Sequence, residues 1–308
     1  MNILNKRYLY FALSLLIIVP GLVILIGQIA RQEVPLSIDF TGGSLLEIRF
    51  ESANPAPAEI IAQYKNLGIQ DTQVQTTEKG TILIRSSYID NDTRDQVLNI
   101  LETEFDSPVE VVQMDSVGPA IGKQVTSRAA IAVGFAALAV VIYITSAFRG
   151  MAHAFRYGVC AIIAMIHDVA IVFSVTAIGS IFFGWEMDAL FLTALLTVIG
   201  FSVQDKIVVF DRIRENANVL RRLDFETLVN HSIVQTLQRS INTQLMTVEF
   251  LLLALALMGG VTLREFAIIL LVGLLSGTYS SIFIAAPILV LWENQEWRKW
   301  FRRKPAAA

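Results

Sequence analysis

A chain of 308 residues that is 54% hydrophobic, with a mean hydropathy of +0.58, is too apolar for one soluble domain. Several apolar runs of membrane-spanning length make it a multi-span helical protein. The formal net charge of −3 is less informative than where the charges fall. The single cysteine, Cys160, excludes an internal disulfide framework, and its apolar surroundings favour inert packing over redox chemistry.

Tyr8 to Ala30 is mostly apolar and follows Lys6 and Arg7. A signal peptide would have an apolar core of only about 7–15 residues, so this run reads as an uncleaved anchor. Pro20-Gly21 is expected to kink it.

Residues 32–127 change character and read as one soluble domain. Leu46, Ile48 and Phe50 alternate with Glu47 and Arg49, the pattern of a half-buried strand. A helix follows Pro55 and Pro57, with Ile60, Ile61, Tyr64 and Leu67 on one side and Gly68 as its stop. Thr72–Thr77 and Thr81–Ser86 form a hairpin around Glu78-Lys79-Gly80. A second helix from about Asp92 turns Val97, Ile100, Leu101 and Phe105 inward, and Val109–Met114 is the last strand. The order βαββαβ is that of a ferredoxin-like split sandwich.

Two loop motifs flank this domain. In SIDFTGG (Ser37–Gly43), Gly42 and Gly43 permit the positive φ of a turn. In SVGPAIGKQV (Ser116–Val125) the glycine spacing is one short of a phosphate loop, and Gln124 replaces the hydroxyl residue. Nucleotide binding is therefore rejected.

The second span is about Ala129–Phe148 and the third about Tyr157–Phe183. The third holds His167-Asp168 roughly 16 Å in from Arg156 at about 1.5 Å per residue, near the bilayer centre. A proton relay and a packing role satisfied by a neighbouring helix both fit that pair. The fourth span begins at Ala189, and up to Phe210 only Asp205 and Lys206 carry charge. Ile207–Phe210 continue the apolar run, which puts Asp205 roughly 9 Å inside the edge. A carboxylate in hydrocarbon costs a few kcal/mol and is functional by default. The competing reading is an interfacial Asp205 with Lys206 snorkelling beside it.

Asp211–Arg222 is dense in charge and lies outside hydrocarbon. Phe225, Leu228, Val229, Ser232, Ile233 and Leu237 line one face of an amphipathic helix, which is expected to lie along the chain's own spans. It runs into a fifth span, about Thr236–Met258, with Arg239 at its entry. Mid-span Glu249 is ten residues on, roughly 80° round the helix at about 100° per residue. It pairs within the bundle, joins a proton path or stays protonated; all three are open. The sixth span, about Phe266–Leu291, carries Gly273 and Gly277, a spacing that lets helices approach closely. Arg298, Lys299, Arg302, Arg303 and Lys304 form a basic tail.

Lys6/Arg7, Arg149/Arg156, the arginines of 212–222 and the tail all fall on one side, and the opposite short loops contribute only Arg264. The positive-inside rule then puts both termini in the cytoplasm and the soluble domain outside. The expected architecture is an α-helical polytopic membrane protein with six transmembrane helices. One α+β ferredoxin-like extracytoplasmic domain sits between spans one and two. The expected segments are 1–31 (N-terminus and first span), 32–127 (soluble domain), 128–292 (spans two to six, with the cytoplasmic loop 211–235) and 293–308 (basic tail).

Several of these motifs together resemble the SecF family, which belongs with SecD to the RND superfamily of proton-coupled membrane proteins. The block GFSVQDKIVVFDRIREN (Gly200–Asn216) resembles its fourth-span signature. SIDFTGG resembles its G-x-D-F-x-G-G, through Asp39, Phe40, Thr41, Gly42 and Gly43, although Ser37 stands where the family usually has Gly. SVGPAIGKQV resembles the lead-in to the second span, Ile166-His167-Asp168-Val169 the third-span motif, and QTLQRSINT (Gln235–Thr243) the fifth-span entry. The resemblance implies a non-enzymatic auxiliary subunit of the Sec protein-export translocon in the cytoplasmic (inner) membrane. Such a subunit pairs with SecD, acts on preproteins emerging from the SecYEG channel, and uses the proton-motive force to move its extracytoplasmic domain. It implies membrane lipid as surroundings, no nucleic acid, no metal and no cofactor.

Sequence physics adds a switch. If Asp205 and Arg239 meet from antiparallel spans, neutralising Asp205 changes whether Arg239 has a partner. A proton-coupled RND-type small-solute transporter is the alternative, but one domain of about 96 residues is small for a solute path. An intramembrane aspartyl protease using Asp168 and Asp205 is disfavoured, because Ser202-Val203-Gln204-Asp205 lacks that family's Gly-x-Gly-Asp.

Overall fold

A computed structural model describes residues 2–31, 33–77, 80–149, 154–244, 250–258 and 261–296. It divides into Leu36–Ala132 and, as a second unit, Met1–Pro35 with Val133–Ala308. The boundaries fall a few residues later than the expected 32–127, and the helix that leaves the smaller unit begins at Pro119, ahead of the expected Ala129.

The smaller unit opens with a single helical turn, α2 (Ile38–Thr41), which follows the first long helix, α1 (Arg7–Arg31). Then come β1 (Gly43–Phe50), α3 (Pro57–Asn66), β2 (Gln73–Thr76), β3 (Ile82–Ser86), α4 (Asn91–Phe105) and β4 (Val109–Val117). The sheet order is β2-β3-β1-β4 with every neighbouring pair antiparallel. Alternation along β1 puts Leu46, Ile48 and Phe50 on one face, where Ile82 and Ile84 of β3 join them. Ile60 and Tyr64 of α3, and Val97 and Leu101 of α4, pack onto that face from i and i+4 positions. Each such fully buried side chain is worth roughly 1.5–3 kcal/mol.

The helix ends follow local chemistry. Pro57 opens α3, and the Glu59 carboxylate accepts from the Ala56 N–H. The Asp90 carboxylate caps α4 by accepting from the Thr93 N–H at 2.9 Å. Gly68, at φ +75°, stops α3. Glu78 and Lys79 of the expected hairpin lie outside the described residues.

The larger unit is helical: α1, α5 (Pro119–Ala147) from Val133 onward, α6 (Ala154–Phe183), α7 (Ala189–Val219), α8 (Phe225–Gln244), α9 (Phe250–Met258), α10 (Val261–Ser280) and α11 (Ala286–Glu293). Five stretches among the described residues are long and apolar enough to cross a membrane: Leu4–Arg31, Pro119–Ala147, Ala154–Phe183, Ala189–Val219 and Leu263–Glu293. The expected fifth span, Thr236–Met258, takes in the end of α8, α9 and residues 245–249, and the last lie outside the described residues. The basic tail from 297 onward does too.

Helix α6 packs against α1, α7 and α10, while α7 packs against α10 and α8. The face of α8 that carries Leu228, Val229, Ser232 and Ile233 is buried, so this helix lies along the chain's own spans. Asp188 caps α7, its carboxylate accepting from the Phe191 N–H at 2.6 Å. At the other end of the bundle Phe210 meets Phe148 and Tyr157 edge-on, at 5.7 and 5.4 Å between ring centres.

The chain's first residues are tied into this end. Ile3 and Leu4 are buried in the same cluster as Leu228, Val229 and Leu289. The Ile3 N–H donates to the Asn230 side-chain oxygen at 2.8 Å. The Arg7 guanidinium donates to Glu226 at 2.9 Å and to both oxygens of Glu296 at 2.8 and 2.9 Å. One arginine thereby joins α1 to the start of α8 and to the turn after α11.

Between α10 and α11 the chain makes one π turn, Ser281–Ala285. Pro287, in the first turn of α11, has no N–H, and its ring crowds the carbonyl four residues back. A π turn relieves such a conflict without breaking the helix.

Candidate site: a charged cluster inside the helical bundle

Asp168 lies midway along α6 and is 0% exposed. A buried carboxylate persists only when it is paired and hydrogen-bonded. Two neighbouring helices supply the partners through i, i+4 spacing: Ser202 and Lys206 on α7, Ser276 and Ser280 on α10. Oδ2 accepts from the Ser202 hydroxyl at 2.6 Å, the Lys206 ammonium at 2.7 Å and the Ser280 hydroxyl at 2.7 Å. Oδ1 accepts from the Ser276 hydroxyl at 2.7 Å and faces His167 Nδ1 at 3.0 Å.

Lys206 is 0% exposed as well. Its ammonium also reaches the Ser202 carbonyl at 3.2 Å and the Ser202 hydroxyl at 2.5 Å. Breaking such a buried pair by removing one partner costs about 3–5 kcal/mol. The snorkelling reading of Lys206 is therefore corrected: its side chain turns into the bundle, because an anion waits there and α7 is covered on that side.

Small residues bring the three helices close enough. A Cβ on Gly273 would stand 2.3 Å from Val198 Cγ2 and 3.1 Å from Val172 Cγ2. A Cβ on Gly277 would stand 3.3 Å from the Ser202 Cα. Glycine at 277 thus lets α10 seat against the turn of α7 that carries Ser202.

Asp205 precedes Lys206 and is 8% exposed. Its neighbours are Lys206, Asp168 and the hydroxyl-bearing Thr278 and Ser281. Its Oδ2 is buried and has no hydrogen-bond partner among the described residues. The π turn begins at Ser281, directly after Ser280, so the distorted stretch of backbone abuts this cluster. The His167 ring stacks on Tyr279 at 6.3 Å, and the Tyr279 hydroxyl donates to the Tyr10 carbonyl at 2.8 Å. His167 Nε2 is buried without a partner among the described residues.

The expected Asp205–Arg239 pair is not formed. Arg239 is exposed on α8 and makes no ion pair among the described residues. Matching depths do not fix the rotation of a helix. The buried stripe of α8 is Ser232, Thr236, Ser240 and Gln244, and Arg239 stands off it. The cation that meets the carboxylates is Lys206. Glu249 lies outside the described residues. Lys206 as an internal ion-pair partner, and Ser202, Ser276 and Ser280 as donors, were missed by sequence reasoning. The signal available was hydroxyl and ammonium groups one turn apart on helix faces that otherwise carry only apolar and glycine residues.

In the smaller unit the two flanking motifs meet. The Ser37 hydroxyl caps α2 by accepting from the Asp39 N–H at 3.2 Å. Phe40 offers its carbonyl to the Thr126 hydroxyl at 2.9 Å, and the Thr41 hydroxyl donates to the Ser37 carbonyl at 3.0 Å. Gly42 has φ +75° and Gly43 φ +135°, where side chains are strained. A Cβ on Gly42 would stand 2.8 Å from the Pro119 Cα, and one on Gly122 would stand 2.6 Å from the Gly42 N. Both loops therefore require glycine where their backbones touch.

Comparison with known proteins gives a consistent result. Residues 97–295 match the family model for protein export membrane protein SecD/SecF, C-terminal. Residues 31–53 match that for the SecD/SecF GG motif. The chain is 66% identical to protein translocase subunit SecF of Anaerolinea thermophila, over 100% of each chain. It is 46% identical to that of Thermobaculum terrenum, over 100% of this chain and 99% of the relative. It is also 34% identical to protein translocase subunit SecDF of Thermus thermophilus, over 87% of this chain but only 36% of that one. The crystal structure of SecDF from Thermus thermophilus, a translocon-associated membrane protein, matches with a TM-score of 0.78 at 32% identity. That match covers 96% of this chain and 39% of the solved one.

Proposed function

Because the chain belongs to the SecD/SecF family of protein-export membrane proteins, we propose that it works as the SecF-type accessory subunit of a Sec translocase. Its partner is a separate SecD chain; the SecDF relative, of which this chain spans 36%, supports that pairing by carrying a SecF-like stretch in a longer polypeptide. In this reading the pair acts on preproteins leaving the SecYEG channel and draws on the proton-motive force. The subunit performs no covalent chemistry.

The architecture proposed is six spans in the cytoplasmic membrane, with the fifth formed by about Thr236–Met258. Both termini are cytoplasmic and the soluble unit lies outside, in keeping with the side on which the arginines collect. The sheet order β2-β3-β1-β4, with a helix after β1 and after β3, supports a ferredoxin-like fold for that unit.

The observation that carries the proton coupling is the interior cluster of Asp168, Lys206 and Asp205, shared by α6, α7 and α10. Ionisable groups at such depth are expensive and mark ion or proton pathways. A proton added to the cluster changes its net charge by one unit and so changes which helix packing is favoured. That change moves the spans, and through them the extracytoplasmic unit that holds the passenger. Asp205→Asn mimics the protonated form at nearly equal volume. The variant should reach the membrane at normal abundance and lose gradient-stimulated export, while ATP-driven export persists. Normal abundance with undiminished gradient-stimulated export refutes the reading.

A further inference from the structure

We propose that Lys206 is a built-in counter-ion that reserves Asp168 as a permanent anion and leaves Asp205 as the one carboxyl of the cluster that exchanges a proton. This deepens the proton-coupled reading above and rests on it. The argument is a count of donors and charges.

Asp168 is held as the anion by its ammonium partner. Its two oxygens together face five groups, of which four (the Ser202, Ser276 and Ser280 hydroxyls and the Lys206 ammonium) donate. The fifth is His167 Nδ1, at 3.0 Å. A carboxylate offers about four lone-pair directions, so the anion is saturated. A proton on Asp168 would have to displace a donated hydrogen bond and would leave the buried Lys206 ammonium, which cannot accept, without its anion. Lys206 in turn spends its three hydrogens on Asp168, the Ser202 carbonyl and the Ser202 hydroxyl. It is fully buried, so water does not compete for it.

Asp205 is the opposite case. It is adjacent in the chain, nearly as buried, and its Oδ2 receives no donor among the described residues. The groups it meets from α10 and the π turn are hydroxyl-bearing, Thr278 and Ser281, and a hydroxyl can accept from an acid as well as donate to an anion. Among the described residues, the other titratable groups around the cluster are His167 on α6 and Tyr279 on α10, which stack on each other. Helix α1 offers the Tyr10 carbonyl, held by the Tyr279 hydroxyl.

The charge count gives the consequence. With both carboxyls ionised and Lys206 charged, the cluster carries one net negative charge; one proton on Asp205 makes it neutral. A net charge buried in hydrocarbon is costly, so neutrality is the resting condition and the cluster exchanges one proton per cycle. Without the ammonium, neutrality takes two protons, and Asp168 becomes a second exchanging site. Lys206 thus acts as a positioning residue: it sets where the proton goes and how many are carried.

Dicyclohexylcarbodiimide tests this, because it modifies carboxyls that are protonated in apolar surroundings. Full-length protein in native membranes is treated, and modified residues are located by peptide mass. Wild type should be modified at Asp205 and not at Asp168, and Asp205→Asn at neither position. Lys206→Met should raise modification of Asp168 from background to the level of Asp205. Asp168→Asn with Lys206→Met leaves no unpaired charge, and should assemble and be modified at Asp205 alone. Modification of Asp168 while Lys206 is present overturns the proposal, and so does an unmodified Asp205 in wild type. An assembled Lys206→Met protein with Asp168 at background also overturns it. Should Lys206→Met not assemble, the wild type and Asp205→Asn decide. None of these readouts needs translocation, so they stand or fall apart from the export assay.

Discussion

Gly21 offers a quantitative test of how tightly the first helix is held to the one that carries Asp168. A Cβ built there would lie 2.2 Å from Ser174 Cβ, 2.4 Å from Ser174 Cα and 2.7 Å from the Ser174 carbonyl oxygen. Carbon atoms rest at about 3.5–4.0 Å, so Gly21→Ala forces α1 to retreat by roughly 1.5 Å. Ser174 Cα is backbone, and no rotamer change removes that clash. Overpacking of this kind costs about 1–3 kcal/mol. The retreat also breaks the bond from the Ser174 hydroxyl to the Ile18 carbonyl, now 3.2 Å long. An interhelical hydrogen bond in a membrane averages about 0.6 kcal/mol, so the total is roughly 1.5–3.5 kcal/mol. Gly27, two turns along the same helix, is the control, since a Cβ there meets nothing within 4 Å. Gly27→Ala should be neutral or gain up to about 1 kcal/mol in helix propensity. Reversible unfolding in mild detergent, comparing both variants with wild type, reads the difference. Equal stability of the two variants would refute the close crossing of α1 on α6.

Two further outcomes are expected. In a Cys160→Ala background, Asn91→Cys should react with an impermeant thiol reagent from outside the cell, and Asn218→Cys only after permeabilisation; the reverse pattern overturns the orientation. At the start of α8, the Asp224 carboxylate is held below its usual range by the Thr227 N–H, which donates to it at 2.9 Å. A depressed folded value means that this cap stabilises above the ordinary carboxylate pKa of about 3.9 and is lost as pH falls through the lower folded value. Amide exchange at Thr227, corrected for its intrinsic rate, should therefore accelerate below about pH 4, and Asp224→Asn should abolish that dependence. An acceleration that survives in Asp224→Asn would assign it to another group.

The sheet-bearing unit was legible because its elements announce themselves over short distances. Leu46, Ile48 and Phe50 alternate, while Ile60 with Tyr64 and Val97 with Leu101 repeat every four residues; each set is buried. Gly42 and Gly43 were marked as positions for positive φ, and both adopt it. The bundle interior was legible only in part. His167-Asp168 and Asp205 stood out because charge in an apolar run has few excuses. Their partners did not stand out, since Asp168 is completed by residues 34 to 112 positions away along the chain. Lys206 was ambiguous for the same reason: near the end of a span an ammonium reaches water unless an anion across the helix interface holds it. Arg239 misled because depth follows from counting residues, whereas the direction a side chain faces depends on packing. The stripe Ser232, Thr236, Ser240, Gln244 recorded that direction in small and polar residues rather than in charge.

The tie of Arg7 to Glu226 and Glu296 sets an order of events during synthesis. Ile3 and Leu4 bury against α8 and α11, and Arg7 grips Glu226 and Glu296, 219 and 289 positions downstream. None of these partners exists when the first helix leaves the ribosome. At roughly 5–20 residues per second, Arg7 waits on the order of 15–60 s for its last carboxylate. Throughout that time the first helix can be held only by the insertion machinery and by whichever later helices have already entered the bilayer. The closure is therefore a late step, available only to chains synthesised past Glu296. A nascent chain stalled short of Glu296 would leave Arg7 with half of its partners, and the two ends of the bundle's seam open to whatever quality-control protease samples it.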